Sequence, residues 1–593
     1  MRFPVAASIQ FRGVCMRLTP IGTQIAAQTI VMMIGLALSL PVFAALSVDA
    51  QHLFVGSADD EVLDAVADSA GNLYVTGWTS SSSIDGQAVT IQGSRDAFVA
   101  KLDSAGNLVA VRVFGGAGSS VGSSSADGNE QGTAIAMGPQ GNVFVTGALL
   151  GDLSNGIGLP TTVIDQTCRT TLTDAFILVL QPDLTPSYFT CFGDLNVVTR
   201  GQDISHAIAV DGQGDAFIGG TSAATAQKDG FVLKLKNPLT SGLSIGNGGI
   251  LYSKLISGSF NDEVLGLTID GAGQAYATGG TISADFPTTV SAIGPINVDA
   301  ATDAFVARIS ADGSQISLSV LIGGDGTDQG NAIALDANTG DIYVTGETTS
   351  TDLGGAPPGG RDAFVARILS DGSPSYVSYI GTTGNDRGLG VVFDQDAAVV
   401  TGVAGSSGLG SVLADFTYQG GDDGFVVRLN ANGSIAETAY LGGTTADQAN
   451  TIRLNSSGGF IVSGHTATTG AAQDGFVITM THTTPTTGGG NTGGTGNSGN
   501  GGGIPIQIFD PTPSPAPTGA SGGGGGGGGL FWPVLLTLCL RPCLLWREWR
   551  LGSGDRDAPS WRRRPAGPAG IPWRISLGFI TRMVQLRSKG SLE

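Results

Sequence analysis

The stretch "RDAFVAKL" at 95–102 returns as "TDAFVARI" at 302–309 and as "RDAFVARI" at 361–368. An acid, an aromatic and a long apolar run recur in that order. The Asp-Ala/Gly-Phe core occurs seven times, opening at Asp96, Asp174, Asp229, Asp303, Asp362, Asp423 and Asp474. Each copy follows a second phrase of the type "GNLYVTG" (71–77), seen again as "GDIYVTG" at 340–346. A third phrase precedes that one, clearest in "HAIAVD" (206–211) and "NAIALD" (331–336). A fourth follows the Asp-Phe core, as in "SLSVLIGG" (317–324) and "AETAYLGG" (436–443).

Four short runs of Val, Ile, Tyr and Phe, cut by Gly, Asn, Asp and Ser, read as four β-strands with tight turns. We name them A to D in chain order. Strand C is apolar on both faces, which fits a strand covered from both sides. Four-stranded units repeated seven times predict an all-β fold, a seven-bladed β-propeller. The ends support closure of the ring. The last unit stops after its strand C, "DGFVITM" (474–480), and the chain before the first unit offers an orphan strand, "AQHLFVGS" (50–57). The N-terminal strand is expected to complete the last blade and leave no unpaired edge.

The pattern "AIAVD…GNVYVTG…DAFVAKLD…YLGG", with "DFPTT" at 285–289, resembles the SBBP-type bacterial β-propeller repeats over roughly residues 46–482. That resemblance implies a fold and an exported location, and no catalytic reaction.

Outside the repeats the chain divides by composition. Residues 1–45 read as a signal peptide: "TIVMMIGLALSLPVFA" (29–44) is short, apolar and ends in small residues, with Met16 a candidate start. Residues 46–482 form the propeller. Residues 483–529 are rich in Gly, Thr, Ser and Pro and read as a disordered, flexible linker. Residues 530–593 join the apolar run "LFWPVLLTLCL" to a basic end; they resemble a GlyGly-CTERM sorting tail, a candidate membrane tether, with a frameshifted extension after it. The apolar run is shorter than the roughly 20 residues of an ordinary spanning helix.

Charge excludes some partners. The whole chain has 29 basic and 49 acidic residues, and 15 and 45 of these fall within 46–540. Nucleic acid and anionic membrane would be repelled by such a surface. An extracellular protein or glycan ligand and a monomeric state are expected. Cys168 and Cys191, both in blade 2, are a candidate disulfide in an exported protein.

A second acid opens strand A of every blade: Asp60, Glu130, Asp203, Asp262, Asp328, Asp386 and Asp447. With the Asp of the Asp-Phe core it should form two acidic rings on one face, one near the central channel. Three readings compete. The acids accept local backbone N–H bonds, a structural role that a repeated residue suits best. They hold Ca²⁺, for which Gly/Asp loops such as "GGDGTDQGN" (323–331) offer oxygens. Or two of them act as a catalytic carboxylate pair, although nothing singles out one pair. The first is preferred, so no enzyme activity and no firm cofactor are expected.

Other motifs fail on context. Gly242–Gly246 and Gly118–Gly122 match G-x-S-x-G but lie in loops between strands. Gly494–Gly499 matches G-x-G-x-x-G inside the linker. The four histidines are scattered, and His206, opening a strand A, should pack or line the channel. The D–A and B–C connections vary in length (115–129, 148–173, 280–302) while the A–B turns stay tight, which points to the long-looped face for ligand binding.

Overall fold

Alternating runs of β-branched and aromatic residues between Asx-Gly turns fold into the expected blades. The computed structural model describes residues 45–483, apart from 116–129, 151–158, 160–172, 193–201, 224–226, 241–248, 297–300, 356 and 468–471. Seven antiparallel sheets of four strands follow one another along the chain. Blade 5 is typical: strand A is Asp328–Leu335, B Ile342–Thr348, C Asp362–Ile368 and D Pro374–Ile380. No helix occurs among the described residues.

Blade 7 closes the ring as expected. Its strands A, B and C are Asp447–Leu454, Phe460–Ala467 and Gln473–Thr483, and its fourth strand is Ala45–Phe54. Val48 lies opposite Met480 and Phe54 opposite Gly475. The strand starts five residues ahead of the "AQHLFVGS" run that announced it, because Leu46 is buried as part of the same seam.

The hydrophobic core is not one body. It is divided into seven seams, each filled by side chains of two neighbouring blades. Between blades 5 and 6, Tyr343 and Val365 meet Val400 and Phe425. This explains why strand C is apolar on both faces: each face fills a different seam. Phe98, Phe176, Phe231, Phe305, Phe364 and Phe425, the aromatic of the repeated phrase, are completely buried. Full burial of such a side chain is worth about 1.5–3 kcal/mol. The charged residue near the end of the phrase packs over the aromatic opposite it on strand B. Lys101 covers Tyr74, Lys234 covers Phe217 and Arg367 covers Tyr343, at 5.2, 4.5 and 5.7 Å from the ring centres.

The A–B turns are Asx turns. Asp68 Oδ1 accepts the N–H groups of Ala70 and Asn72, both at 2.9 Å, and Gly71 takes φ +83°, which an L side chain rarely adopts. Strand A runs from the long-looped face to this tight-turn face, and it lines the central channel.

Candidate functional site

Every strand A carries one β-bulge, at the same place. The register against strand B shifts across Leu63, Thr133, His206, Leu265, Asn331, Leu389 and Asn450. A bulge re-aims a side chain that would otherwise lie against the next blade. All seven of these residues line a cavity of about 140 Å³ in the middle of the channel. Three of the polar members reach the next blade. Thr133 Oγ1 donates to Ser205 O at 2.6 Å, Asn331 Nδ2 to Gly388 O at 2.9 Å, and Asn450 Nδ2 to Val62 O at 2.9 Å. His206 lines the channel as expected; burial, and then Lys228, push its pKa down to about 4, so its imidazole is neutral at pH 7.

The fourteen repeat acids begin their strands on the long-looped side, as read from the sequence, but they are not exposed there. Thirteen are buried and Asp229 is half-buried. The Asp of strand C and the acid opening strand A of the next blade meet inside the seam. A Cβ on Gly323 would lie 1.8 Å from Asp303 Oδ1 and 3.0 Å from Asp328 Oδ2. At Gly442 the same construction meets Asp447 Oδ2 at 2.6 Å and Asp423 Oδ1 at 3.0 Å. The Gly ending strand D is therefore the space in which two carboxyls approach. The strand that brings each acid to that side also turns its side chain into the seam with the neighbouring blade, which is why these acids are buried.

Most seam acids accept local donors. Asp328 takes Gly324 N–H at 2.9 Å, Ser350 Oγ at 2.6 Å and the Thr348 hydroxyl. Asp262 takes Gly258 N–H at 2.7 Å and Ser283 Oγ at 3.0 Å, and Asp60 takes Ser81 Oγ at 2.7 Å. Asp386 takes Thr382 N–H at 2.6 Å, and Asp447 takes Gly443 N–H at 2.8 Å. One oxygen stays without a donor in Asp60, Asp96, Asp262, Asp362, Asp423 and Asp447. Burial pushes Asp60, Asp96, Asp362 and Asp447 up to about 6, and Asp423, facing Asp447, up to about 7. Among the described residues no group of three or more His, Cys, Asp or Glu is placed to hold a metal ion.

Three residues from variable positions of the repeat meet where the ring closes, at the long-looped mouth. Glu61 follows Asp60 in strand A of blade 1, Trp78 lies opposite it on strand B, and His465 comes from strand B of blade 7. Glu61 accepts Trp78 Nε1 at 2.8 Å and Asn450 Nδ2 at 2.9 Å, and His465 Nδ1 lies 3.0 Å from it. Burial works to raise Glu61, but His465, Asn450 and Trp78 together hold its carboxyl below the usual range. Arg387 extends the chain of contacts through Gln448 to Asn450, and Arg95 covers the Trp78 ring at 4.8 Å. At the other end of the same seam Arg453 grips buried Asp64 at 2.8 and 3.1 Å, and Asp64 also accepts Ile135 N–H at 3.0 Å. These residues escape a reading that looks for recurrence. A position-by-position comparison of the repeats would find Asp64 and Arg453 as the odd members, whereas Glu61 has Glu263 at the same place in blade 4 and Trp78 and His465 share a position that differs in every blade.

The tight-turn mouth is different. The last residue of each strand A, or its neighbour, is apolar in every blade: Ala67, Met137, Val210, Ile269, Leu335, Phe393 and Leu454. None is buried. The next residue is Asp in five blades: Asp68, Asp211, Asp270, Asp336 and Asp394. A cavity of about 460 Å³ opens here across blades 4 to 7.

Cys191 is disulfide-bonded. Cys168, residues 1–44 and the C-terminal segment lie outside the described residues, as do most of the long connections of blades 1 and 2. No helix among the described residues is long and apolar enough to cross a membrane.

No protein-family model matches the chain. It is 26% identical over 406 residues to the regulatory protein FlaEY of Caulobacter vibrioides, an alignment covering 62% of this chain and 39% of that one. The chain thus spans about two fifths of that relative's length. Among solved structures it is similar to YCF48 bound to a D1 peptide, with TM-score 0.37, 8% identity and coverage of 75% and 100%. It is also similar to Sqt1 of Chaetomium thermophilum bound to the N-terminus of ribosomal protein L10, with TM-score 0.37, 8% identity and coverage of 74% and 100%. The polysaccharide lyase Uly1 aligns with TM-score 0.40, 11% identity and coverage of 72% and 90%.

Proposed function

We propose that the chain is an exported, non-enzymatic β-propeller that serves as a binding scaffold at the bacterial cell surface or outside it, for a protein or glycan ligand. The observation that supports this best is the state of Glu61. It belongs to an asymmetric cluster of His, Glu and Arg, the kind of group a polymer-acting enzyme would need. Yet three neighbours fasten it and hold its carboxyl low. A general acid needs a pKa near the working pH, and a general base needs a free lone pair aimed at substrate. Glu61 is held low and tied to both flanking blades by Trp78, Asn450 and His465, so the cluster reads as a staple across the closing seam.

Export rests on the signal-like N-terminus and on the resemblance to SBBP repeats; the Gly run, apolar stretch and basic end support a sorting or tethering role for the tail. The second reading, an extracellular hydrolase or lyase, is favoured only by the presence of His465 beside Glu61. A screen of the full chain against glycans and surface proteins, run beside polysaccharide turnover assays, separates the two. Binding without turnover is expected. Turnover that Glu61→Gln abolishes would overturn the proposal. A chain that binds nothing would be a structural spacer.

A further inference from the structure

We propose that the tight-turn mouth of the channel is a docking socket for a basic, amphipathic peptide segment of a partner protein. This deepens the scaffold reading and rests on it, and it moves the binding site to the face opposite the long loops.

The floor of the 460 Å³ cavity is built by Ile269, Leu335, Phe393 and Leu454, the ends of strand A in blades 4 to 7. Leu454 is 44% exposed, on a strand whose other apolar residues are buried. Apolar surface held open inside a concavity is what a ligand site offers. Next to it stands the ring of bulged residues, with Leu265, Leu389 and the seam-bonded Asn331 and Asn450 lining the smaller cavity of about 140 Å³. The wider mouth has room for a few inserted side chains.

The lip decides the charge of the partner. Asp270 and Asp336 line the cavity. Burial works to raise Asp336, but its bonds from Thr339 and from Asn338 N–H keep the carboxyl below its usual range, so it is ionised at neutral pH. Arg308, over the Tyr276 ring at the edge of the cavity, donates to Ser317 Oγ and Ser370 O, and other cations on this face are paired with acids. Arg453 is spent on Asp64, Arg367 on Asp341 at 2.8 Å, Arg428 on Asp396 at 2.7 Å, and Lys234 lies 3.5 Å from both Asp211 and Asp215. The field at the mouth is negative, and the body of the chain, with 45 acids against 15 bases in 46–540, reinforces it over long range. A second copy of this chain would bring more negative charge to the same place. An apolar segment interleaved with Arg or Lys meets both requirements: its apolar side chains fill the floor and its cations reach the lip.

The test uses the full chain and a fluorescein-labelled peptide of roughly twelve residues alternating Arg and Leu, with matched Glu/Leu and Arg/Ser peptides as controls. Anisotropy titrations should show saturable binding of the Arg/Leu peptide alone, weakening as salt rises. Leu454→Arg places a cation on an already exposed position, so folding is preserved, and should weaken binding by about tenfold or more. Val55→Arg, at an exposed position just after the outer strand of blade 7, should leave it unchanged. Equal binding of the Glu/Leu peptide, or wild-type affinity in Leu454→Arg, overturns the socket. If the Arg/Leu peptide does not bind while another ligand is captured by the screen described above, the socket fails and the scaffold reading stands.

Discussion

Replacing Asp423 by Asn should stabilise the protein at pH 8 and do much less at pH 5. Asp423 is fully buried in the seam between blades 6 and 7. One oxygen accepts Gln419 N–H at 2.7 Å; the other has no donor and approaches Asp447, across the space at Gly442. Burial, and then Asp447 and Asp422, push its pKa up to about 7. His465 is the nearby basic group, and it works to lower Asp447. In the unfolded chain the group titrates at its ordinary value of 3.8. Between these values the folded state holds more protons than the unfolded one, so stability falls as pH rises through that window. From pH 5 to pH 7 that is about two pKa units, each worth about 1.4 kcal/mol. Solvent access and the sharing of charge with Asp447 reduce the expected change to about 1–2 kcal/mol. Asn is neutral at both pH values and has no such dependence. The assay is urea unfolding of the full chain and of Asp423→Asn at pH 5 and pH 8. The difference between the two proteins is the informative quantity, because Asp60, Asp96, Asp362 and Asp447 also make wild-type stability fall as pH rises, while His206, with its lowered pKa, opposes them over pH 4 to 6.5. A variant whose advantage fails to grow with pH, or that is destabilised equally at both, would refute the argument that the seams hold shared protons.

Three further outcomes are expected. Gly323→Ala puts a methyl 1.8 Å from buried Asp303 Oδ1 and should cost about 2–4 kcal/mol in urea unfolding, whereas Gly271→Ala, which meets nothing within 4 Å, should be near neutral. Arg453→Met strands the buried Asp64 carboxylate with only backbone donors and should cost about 3 kcal/mol; adding Asp64→Asn should recover much of that loss, and failure to recover would mean that the pair is not what closes the seam. Thermal unfolding of the full chain at pH 8 should shift little with millimolar Ca²⁺. A rise of several degrees reversed by chelator would place Ca²⁺ between the seam carboxyls instead of a proton.

The blades and the closure were readable because both follow from recurrence. Four apolar runs in fixed order leave few alternatives to a four-stranded sheet, and a unit missing strand D at one end matches an orphan strand at the other. The seam pairs were half readable. Asp303 and Asp328 stand out as repeated acids, but their spacing along the chain carries no direction, and whether a side chain points to solvent or into the next blade depends on the packing of blades. The glycine ending strand D was the available clue, since a residue without a side chain at a repeated position implies that something else occupies the space. The bulges were not readable. A one-residue register shift leaves the apolar pattern of strand A almost intact, so Leu63 or Leu389 looks like any other core leucine although it faces the channel. Glu61, Trp78 and His465 were hidden for another reason: they occupy positions that vary from blade to blade, and attention to what repeats passes over what varies.

The strand that closes blade 7 also sets when the protein can finish folding. Ser47 and Thr481 touch across that sheet although 434 residues separate them. Blades 1 to 6 are built from consecutive segments and can form as the chain emerges, but the first strand must wait for the last. Contacts of such separation are slow to make, because the entropy of closing the loop is lost before any contact rewards it. Until then the chain carries an unpaired edge at each end, open to neighbouring chains and to proteases. Completion of the ring is thus a length check. A product truncated anywhere before strand C of blade 7 has folded blades but no partner for its first strand, and it stays distinguishable from a finished molecule.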